Sequence, residues 1–204
     1  MIRAILVSAF ILLSGHAHAT LQPPLSHADV SCLTATVHPK DKTAYQNYEV
    51  IATEGGLVFR HRDTGEKTVW TACDGLPATA IEAVTSDQRG GLLLATRGRG
   101  VWRLDPKTGA LESLSVDPRL TWTTALAWFD GALWAGTIQQ GLLRLDIEQP
   151  KAHITRPIWR FRRGRVSGLA PSGDGRLLVA RDLGGVWALS PDGRSTRVRR
   201  GSAQ

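Results

Sequence analysis

A motif that recurs about every 43 residues limits the folds open to this chain more than any other feature of the sequence. Each copy has a short apolar segment, a polar or glycine-rich turn, and a glycine that begins a second apolar segment. The anchor glycines are Gly56, Gly100, Gly141 and Gly185, with spacings of 44, 41 and 44 residues. A further apolar run lies before each of the last three copies, and another follows every copy; the run after the third copy, residues 154–161, is predicted to be the last strand of its unit. Each repeat unit therefore holds four short strands.

Four antiparallel strands in about 43 residues are typical of one β-propeller blade. A helical solenoid has a similar period, but apolar segments of about five residues bounded by glycine are too short for its helices. We therefore predict an all-β propeller of about four four-stranded blades, over residues 31–74, 75–118, 119–162 and 163–204. Two arrangements stay open: a ring that closes alone, with the innermost strand of blade 1 at residues 31–38, or a partial propeller completed by a second copy.

The first 19 residues have the pattern of a secretory signal peptide. Arg3 supplies the positive start, residues 4–13 are apolar apart from Ser8, and Ala17-His18-Ala19 resembles a cleavage site. An apolar run this short does not reach the about 20 residues that a membrane-spanning helix needs. We predict a periplasmic or secreted protein with a linker at residues 20–30 and no membrane span in the mature chain.

Two cysteines, Cys32 and Cys73, are expected to form a disulfide in an exported protein. The alternative is a redox or metal-binding pair, which the absence of a CxxC motif disfavours. The four histidines after the signal peptide form no HxH or HExxH motif, so no metal site or other cofactor is predicted. No nucleophile elbow or phosphate-binding loop is present either, and we predict a protein that is not an enzyme.

Positive charge is concentrated in the last quarter of the chain. Residues 151–204 hold 12 Lys and Arg against 3 Asp, whereas residues 20–150 hold 12 Lys and Arg against 15 Asp and Glu. This asymmetry predicts an anionic partner, and a solvated basic face is the alternative. For an exported protein we expect an acidic glycan or other envelope anion rather than nucleic acid, because the arginine fork pairs two oxygens at once.

Parts of the repeats resemble those of the two-component regulator propeller family. The lead-in Asp74-Gly75-Leu76-Pro77 and the strand Leu133-Trp134-Ala135-Gly136-Thr137 carry the resemblance most closely. It implies a periplasmic sensing propeller of the kind found in membrane-bound histidine kinases. Neither a transmembrane helix nor a kinase follows the repeats here, so the resemblance implies a free-standing binder, a half-propeller that pairs with another copy, or a truncated relative of a sensor.

In a propeller, the turn between the second and third strands of a blade shares one face with the loops between blades. This face is predicted to bind the ligand through Arg97, Arg99, Arg119, Trp122, Gln139, Gln140, Arg163 and Arg165. Glu54 and Asp182 lie on the same face, where an acid/base pair is the less favoured interpretation. The predicted function is non-catalytic binding of an anionic small ligand or glycan. The alternatives are a scaffold that docks on an envelope sensor or complex and, less favoured, a glycan lyase or hydrolase.

Overall fold

The computed structural model describes residues 39–198, except residues 88, 115–116, 149–150, 158–160 and 162–163. The predicted signal peptide, linker and first strand at 31–38, together with Cys32 and Arg163, lie outside this range. The described residues form sixteen β-strands and two short 3₁₀ helices, Ala72–Asp74 and Pro118–Leu120. No helix within this range has the length and apolarity needed to cross a membrane.

The strands form four separate antiparallel sheets of four strands each, and each sheet follows the order of the chain. Blade 1 holds β1 (Pro39–Tyr45), β2 (Tyr48–Thr53), β3 (Gly56–His61) and β4 (Lys67–Trp70). Blade 2 holds β5 (Ile81–Ser86), β6 (Leu92–Thr96), β7 (Gly100–Leu104) and β8 (Leu111–Ser113). Blade 3 holds β9 (Thr123–Phe129), β10 (Ala132–Thr137), β11 (Leu142–Glu148) and β12 (Lys151–Pro157). Blade 4 holds β13 (Val166–Pro171), β14 (Leu177–Arg181), β15 (Gly185–Leu189) and β16 (Ser195–Arg197). The predicted architecture of four four-stranded blades is confirmed.

A buried threonine ends the second strand of each of the first three blades and closes the turn that follows. The Oγ1 hydroxyl groups of Thr53, Thr96 and Thr137 donate hydrogen bonds to the anchor-glycine carbonyls, at 2.9, 2.8 and 3.0 Å. These bonds satisfy polar groups that are buried together. Blade 4 has Arg181 at the corresponding position, so its turn lacks this bond and differs chemically from the other three.

The first strand of each sheet is the innermost, because β1, β5, β9 and β13 pack against one another in succession. Three apolar clusters fill the spaces between blades 1 and 2, 2 and 3, and 3 and 4. Within the described range no such cluster joins blade 4 to blade 1, and β13 does not pack closely against β1. Among the described residues β1, which begins at Pro39, is the innermost strand of blade 1. Residues 31–38, expected to supply that strand in a ring that closes alone, lie outside the described range.

The outermost strand of blade 3 also differs from its prediction, which placed it at residues 154–161. The β11–β12 register pairs Glu148 with Lys151, so β12 begins earlier than predicted, at Lys151, and ends at Pro157. Phe161 lies beyond the strand and is fully buried in the cluster between blades 3 and 4, beside Trp187. The apolar residues after Pro157 were read as strand when one of them packs between blades.

Candidate functional site

A β-bulge recurs at the second residue of the innermost strand in every blade. The register of each first strand skips one residue, and these residues are Lys40, Glu82, Thr124 and Ser167. A bulge leaves the extra residue unpaired and turns its side chain away from the regular alternation of the strand. Four equivalent polar side chains, about 42 residues apart in sequence, are thereby placed at one end of the innermost strands.

Three of the four bulge residues line a cleft of about 150 Å³, whose wall is formed by residues from all four blades. We call it the axial cleft, and its lining residues are Lys40, Glu82, Arg97, Trp122, Thr123, Thr124, Ile138 and Arg165. The structure thus brings Arg97, Trp122 and Arg165 of the predicted ligand-binding set into one cleft. It adds Lys40, Glu82 and Thr124, which lie at equivalent bulge positions in β1, β5 and β9, the innermost strands of blades 1, 2 and 3.

Four side chains of alternating charge form a closed network between blades 1 and 2 at the cleft. Lys40 lies 3.1 Å from Glu54 and 3.2 Å from Glu82, and Arg97 lies 3.2 Å from Glu54 and 2.6 Å from Glu82. The Lys40 and Arg97 hydrogen bonds lower the pKa of Glu54, and the Glu82 hydrogen bond raises the pKa of Arg97. The network fixes the position of Arg97 and balances its charge.

Trp122 is the most exposed tryptophan that the structure describes, with 48% of its surface accessible. Its backbone is held between blades, because Gly98 donates from its amide to the Thr121 carbonyl and Ile138 donates to the Trp122 carbonyl. The indole rings of Trp102, Trp128, Trp134 and Trp187 donate to backbone carbonyls at 2.8–3.0 Å. Trp122 lines the cleft, and no described residue accepts a hydrogen bond from its indole N–H.

Of the other predicted ligand-binding residues, Arg163 lies outside the described residues, and the remaining four do not line the cleft. Arg119 is paired with Asp117, two residues before it, through several hydrogen bonds of 2.7–3.2 Å. Arg99, Gln139 and Gln140 lie in the neighbouring turns, at the surface. Arg165 does line the cleft, and its ion pair with Asp182 is long, at 3.5 Å between half-exposed groups. Arg165 is therefore freer than Arg97 to turn toward a ligand.

No acid/base pair is formed by Glu54 and Asp182. Glu54 is bound to Lys40 and Arg97, and Asp182 is bound to Arg165. With its pKa lowered by those hydrogen bonds, Glu54 stays ionised at neutral pH and is unsuited to donate a proton. Within the described residues, no three His, Cys, Asp or Glu side chains are placed to hold a metal ion.

Cys73 lies in the first 3₁₀ helix, which a capping box closes: the Thr71 hydroxyl accepts from the Cys73 amide, and the Asp74 carboxylate accepts from the Thr71 amide. Cys73 is not a free cysteine. Because Cys32 lies outside the described residues, the disulfide between the two stays a prediction.

Asp41 joins blade 1 to blade 2 behind the cleft, since its carboxylate accepts from the Val84 amide at 3.0 Å and the Lys42 amide at 2.8 Å. Burial raises the pKa of Asp41 more than these hydrogen bonds lower it. A raised folded-state pKa means that this carboxyl stabilises the fold below its unfolded pKa and loses that contribution as pH rises through the folded value.

We therefore expect Asp41→Asn to be more stable than the wild type at pH 7: the amide oxygen keeps the bond from Val84 without a buried charge, and the bond that is lost, from the Lys42 amide, is at an exposed position. The difference should be smaller in a measurement at about pH 4, because a raised pKa lets the wild-type carboxyl take up its proton as the solution becomes acidic. Urea midpoints measured at both pH values test this. A difference that did not change with pH would show that the ionisation of Asp41 is irrelevant to stability.

No family model and no curated protein matches the chain, but solved structures do. The extracellular domain of the one-component system BT4673 from B. thetaiotaomicron has a TM-score of 0.62 and 16% identity, over 88% of this chain and 23% of that one. Virginiamycin B lyase from Staphylococcus aureus has a TM-score of 0.59 and 13% identity, over 80% of this chain and 56% of that one. PorZ of Porphyromonas gingivalis, a surface component of the type-IX secretion system, has a TM-score of 0.54 and 16% identity, over 81% of this chain and 23% of that one.

The chain has a β-propeller fold. It spans less than a quarter of the length of BT4673 and of PorZ, and about half the length of the lyase. At these identities the likeness shows the fold alone, and the three proteins have three different functions. A propeller fold is compatible with all of them, so function has to be argued from the cleft.

Proposed function

We propose that this protein is an exported, non-catalytic propeller that binds an acidic sugar in the axial cleft, in a sensing or ligand-capturing role. The observation that carries the proposal is Trp122, an exposed ring with an indole N–H that no described residue accepts, beside Arg97 and Arg165. The similarity to extracellular domains supports the exported role. It also agrees with the resemblance of the repeats to two-component regulator propellers.

A sugar ring matches the chemistry of the cleft. The flat apolar face of an indole packs against the C–H groups of a pyranose, and its N–H donates to a hydroxyl or ring oxygen. Lys40 and Thr124 also line the cleft wall, where the Thr124 hydroxyl, which donates to the backbone carbonyls of Gly136 and Val166, can accept a hydrogen bond from the sugar. A drug-sized ligand typically needs a few such polar groups around an apolar surface to fix its orientation.

The charges favour a sugar with a single carboxylate over a highly charged polymer. Lys40 and Arg97 are already paired with Glu54 and Glu82, so an anion would have to compete for them. Arg165 has the long contact with Asp182 and can pair a ligand carboxylate through its planar fork. The cleft is therefore suited to one acidic group bound at Arg165 while the ring lies on Trp122.

The same groups argue against catalysis. A lyase or hydrolase requires a side chain able to take or give a proton near neutral pH. The carboxylates of Glu54 and Glu82 are engaged by a lysine and an arginine, and none of the described residues that line the cleft is a histidine. The similarity to virginiamycin B lyase extends to the fold, and a proton-transferring residue is not evident among the described residues of this cleft.

Isothermal titration calorimetry with a uronic acid trisaccharide and its neutral counterpart tests the proposal. Trp122→Ala is expected to weaken binding about fivefold, since aromatic packing contributes about 1 kcal/mol. Arg165→Ala should remove most of the preference for the acidic trisaccharide and flatten the dependence of its Kd on salt. Arg89→Ala is the matched control, because Arg89 is exposed in the β5–β6 turn, at the opposite end of that strand pair from Arg97.

Unchanged binding in both Trp122→Ala and Arg165→Ala would contradict the assignment of the site to the axial cleft. Equal affinity of the wild type for the acidic and the neutral trisaccharide would contradict the choice of an acidic ligand. Cleavage of the trisaccharide during the titration would replace a binding role with an enzymatic one.

A further inference from the structure

One broad face of blade 4 is apolar and has no blade packed on it among the described residues. Its positions are set by the strand register, which places them side by side in two rows across the sheet. We call this surface the open face of blade 4, and its residues are Gly168, Ala170, Leu178, Ala180, Val186, Ala188, Thr196 and Val198. None of the eight carries a charge.

The open face repeats the residues that blade 2 uses to pack against blade 3. Leu178, Ala180 and Val186 occupy the strand positions of Leu93, Ala95 and Val101 in blade 2, with the same residue types. Gly168 corresponds to Ala83 in the first strand. The four blade 2 residues are all buried in the cluster between blades 2 and 3. Blade 4 therefore carries the surface that, in blade 2, receives the next blade.

Exposure shows the difference between these equivalent surfaces. Val101 is fully buried by blade 3, whereas Val186 is 38% exposed and Val198 is 46% exposed, although the small Ala188 beside them is covered, at 1%. A contiguous apolar surface of this kind on an otherwise polar protein marks an interaction site. Blade surfaces of this kind pack against a neighbouring blade at three places within the chain. The partner that fits the open face is therefore the face of another blade.

We propose that the open face of blade 4 binds blade 1 of a second copy, and that the reciprocal contact closes a two-copy ring of eight blades. Blade 1 presents the matching side of its sheet with no blade on it in the described range. Ile51, Val58 and Val69 are register partners across that side and form an aliphatic row, in which Val69 is 40% exposed and Val58 is 7% exposed. Ile51 and Val58 correspond to Ala135 and Leu143, which blade 3 packs against blade 2. A twofold axis would relate the two identical contacts.

Four charged residues share this side of blade 1: Lys42 is the register partner of Ile51, and Glu49, Arg60 and Lys67 form the next row. Glu49 accepts from Lys42 at 3.0 Å and also forms an ion pair with Arg60. Their aliphatic stems extend the apolar surface while their charged ends reach the rim. These charges make the contact at blade 1 more polar than the clusters that join the blades inside the chain. A reversible association between copies is the expected consequence.

Sedimentation velocity on the protein purified after expression of the full chain tests the proposal, from about 1 to 100 µM, a range that brackets a micromolar Kd. We expect a dimer at the upper end. Val186→Lys on blade 4 and Val69→Lys on blade 1 should each give a monomer with an unchanged circular dichroism spectrum. Leu183→Lys is the control, since Leu183 is 98% exposed in the β14–β15 turn and lies off the open face.

Mixing the two monomeric variants distinguishes a contact between blade 4 and blade 1 from a contact between two identical faces. The intact blade 1 of the Val186→Lys chain can bind the intact blade 4 of the Val69→Lys chain, so the mixture should recover a dimer with one working interface. Wild-type protein that stays monomeric at about 100 µM would overturn the proposal. A Val69→Lys variant that still forms dimers alone would also overturn it, because two open faces of blade 4 would then be pairing with each other.

Discussion

Replacing Gly56 with alanine is expected to lower the free energy of unfolding by about 3 kcal/mol or more. Gly56 begins β3 with φ of +127°, a conformation that residues with a Cβ rarely adopt. A Cβ there would lie 2.0 Å from the carbonyl oxygen of Trp70 and 3.3 Å from the Cα of Thr71. Both contacts are with backbone, so the overlap can be relieved only by separating β3 from β4.

Gly131→Ala is the matched control, because Gly131 has φ of +69° but no described atom within 4 Å of the place that an alanine Cβ would occupy. Gly131→Ala should lower the free energy of unfolding by only about 1 kcal/mol, the cost of placing a residue with a Cβ at positive φ without a steric clash. Urea unfolding followed by far-ultraviolet circular dichroism gives both values from midpoints and m-values. Equal losses in the two variants would mean that the approach of Trp70 to Gly56 is not a constraint on the fold.

The fold was predictable because its determinants are local and repeated. A glycine at the start of a strand, such as Gly100, marks the turn between two neighbouring strands. Four such turns, spaced about 43 residues apart, define the four blades. Strand ends were less predictable when apolar residues continued past the sheet. Phe161 was placed in a strand for this reason, although it packs between blades 3 and 4.

The candidate site was predictable in part. Strand topology alone places Arg97, Trp122 and Arg165 on one face, and all three line the cleft. Arg119 shares that face by topology, but Asp117 binds it locally and it does not line the cleft. Neighbouring charges two residues apart were a signal that could have separated it from the others.

The bulge residues were missed because a bulge is a shift in strand pairing that the spacing of apolar residues does not reveal. Lys40 and Glu82 meet although they are 42 residues apart, and each alone is an ordinary strand residue. The available signal was the recurrence of a polar residue at the second position of the first strand in successive repeats, as in Glu82 and Thr124. Aligning the repeats on those strands, in addition to the anchor glycines, would have found it.

Leu93→Ala and Leu178→Ala compare the same position in blades 2 and 4. Leu93 is buried between blades 2 and 3, so its truncation is expected to cost about 2–5 kcal/mol at every protein concentration. Leu178 lies on the open face, where truncation should cost less than about 1 kcal/mol while the protein is monomeric.

If two copies close the ring, the cost of Leu178→Ala must rise with protein concentration, because association adds to stability by mass action and this variant weakens it. Urea midpoints of wild type and both variants at about 1 and 100 µM separate the cases. A Leu178→Ala cost that is the same at both concentrations would place the open face of blade 4 outside any contact between copies. A concentration-dependent cost for Leu178→Ala, beside a constant one for Leu93→Ala, would show that the same blade surface serves within the chain and between chains.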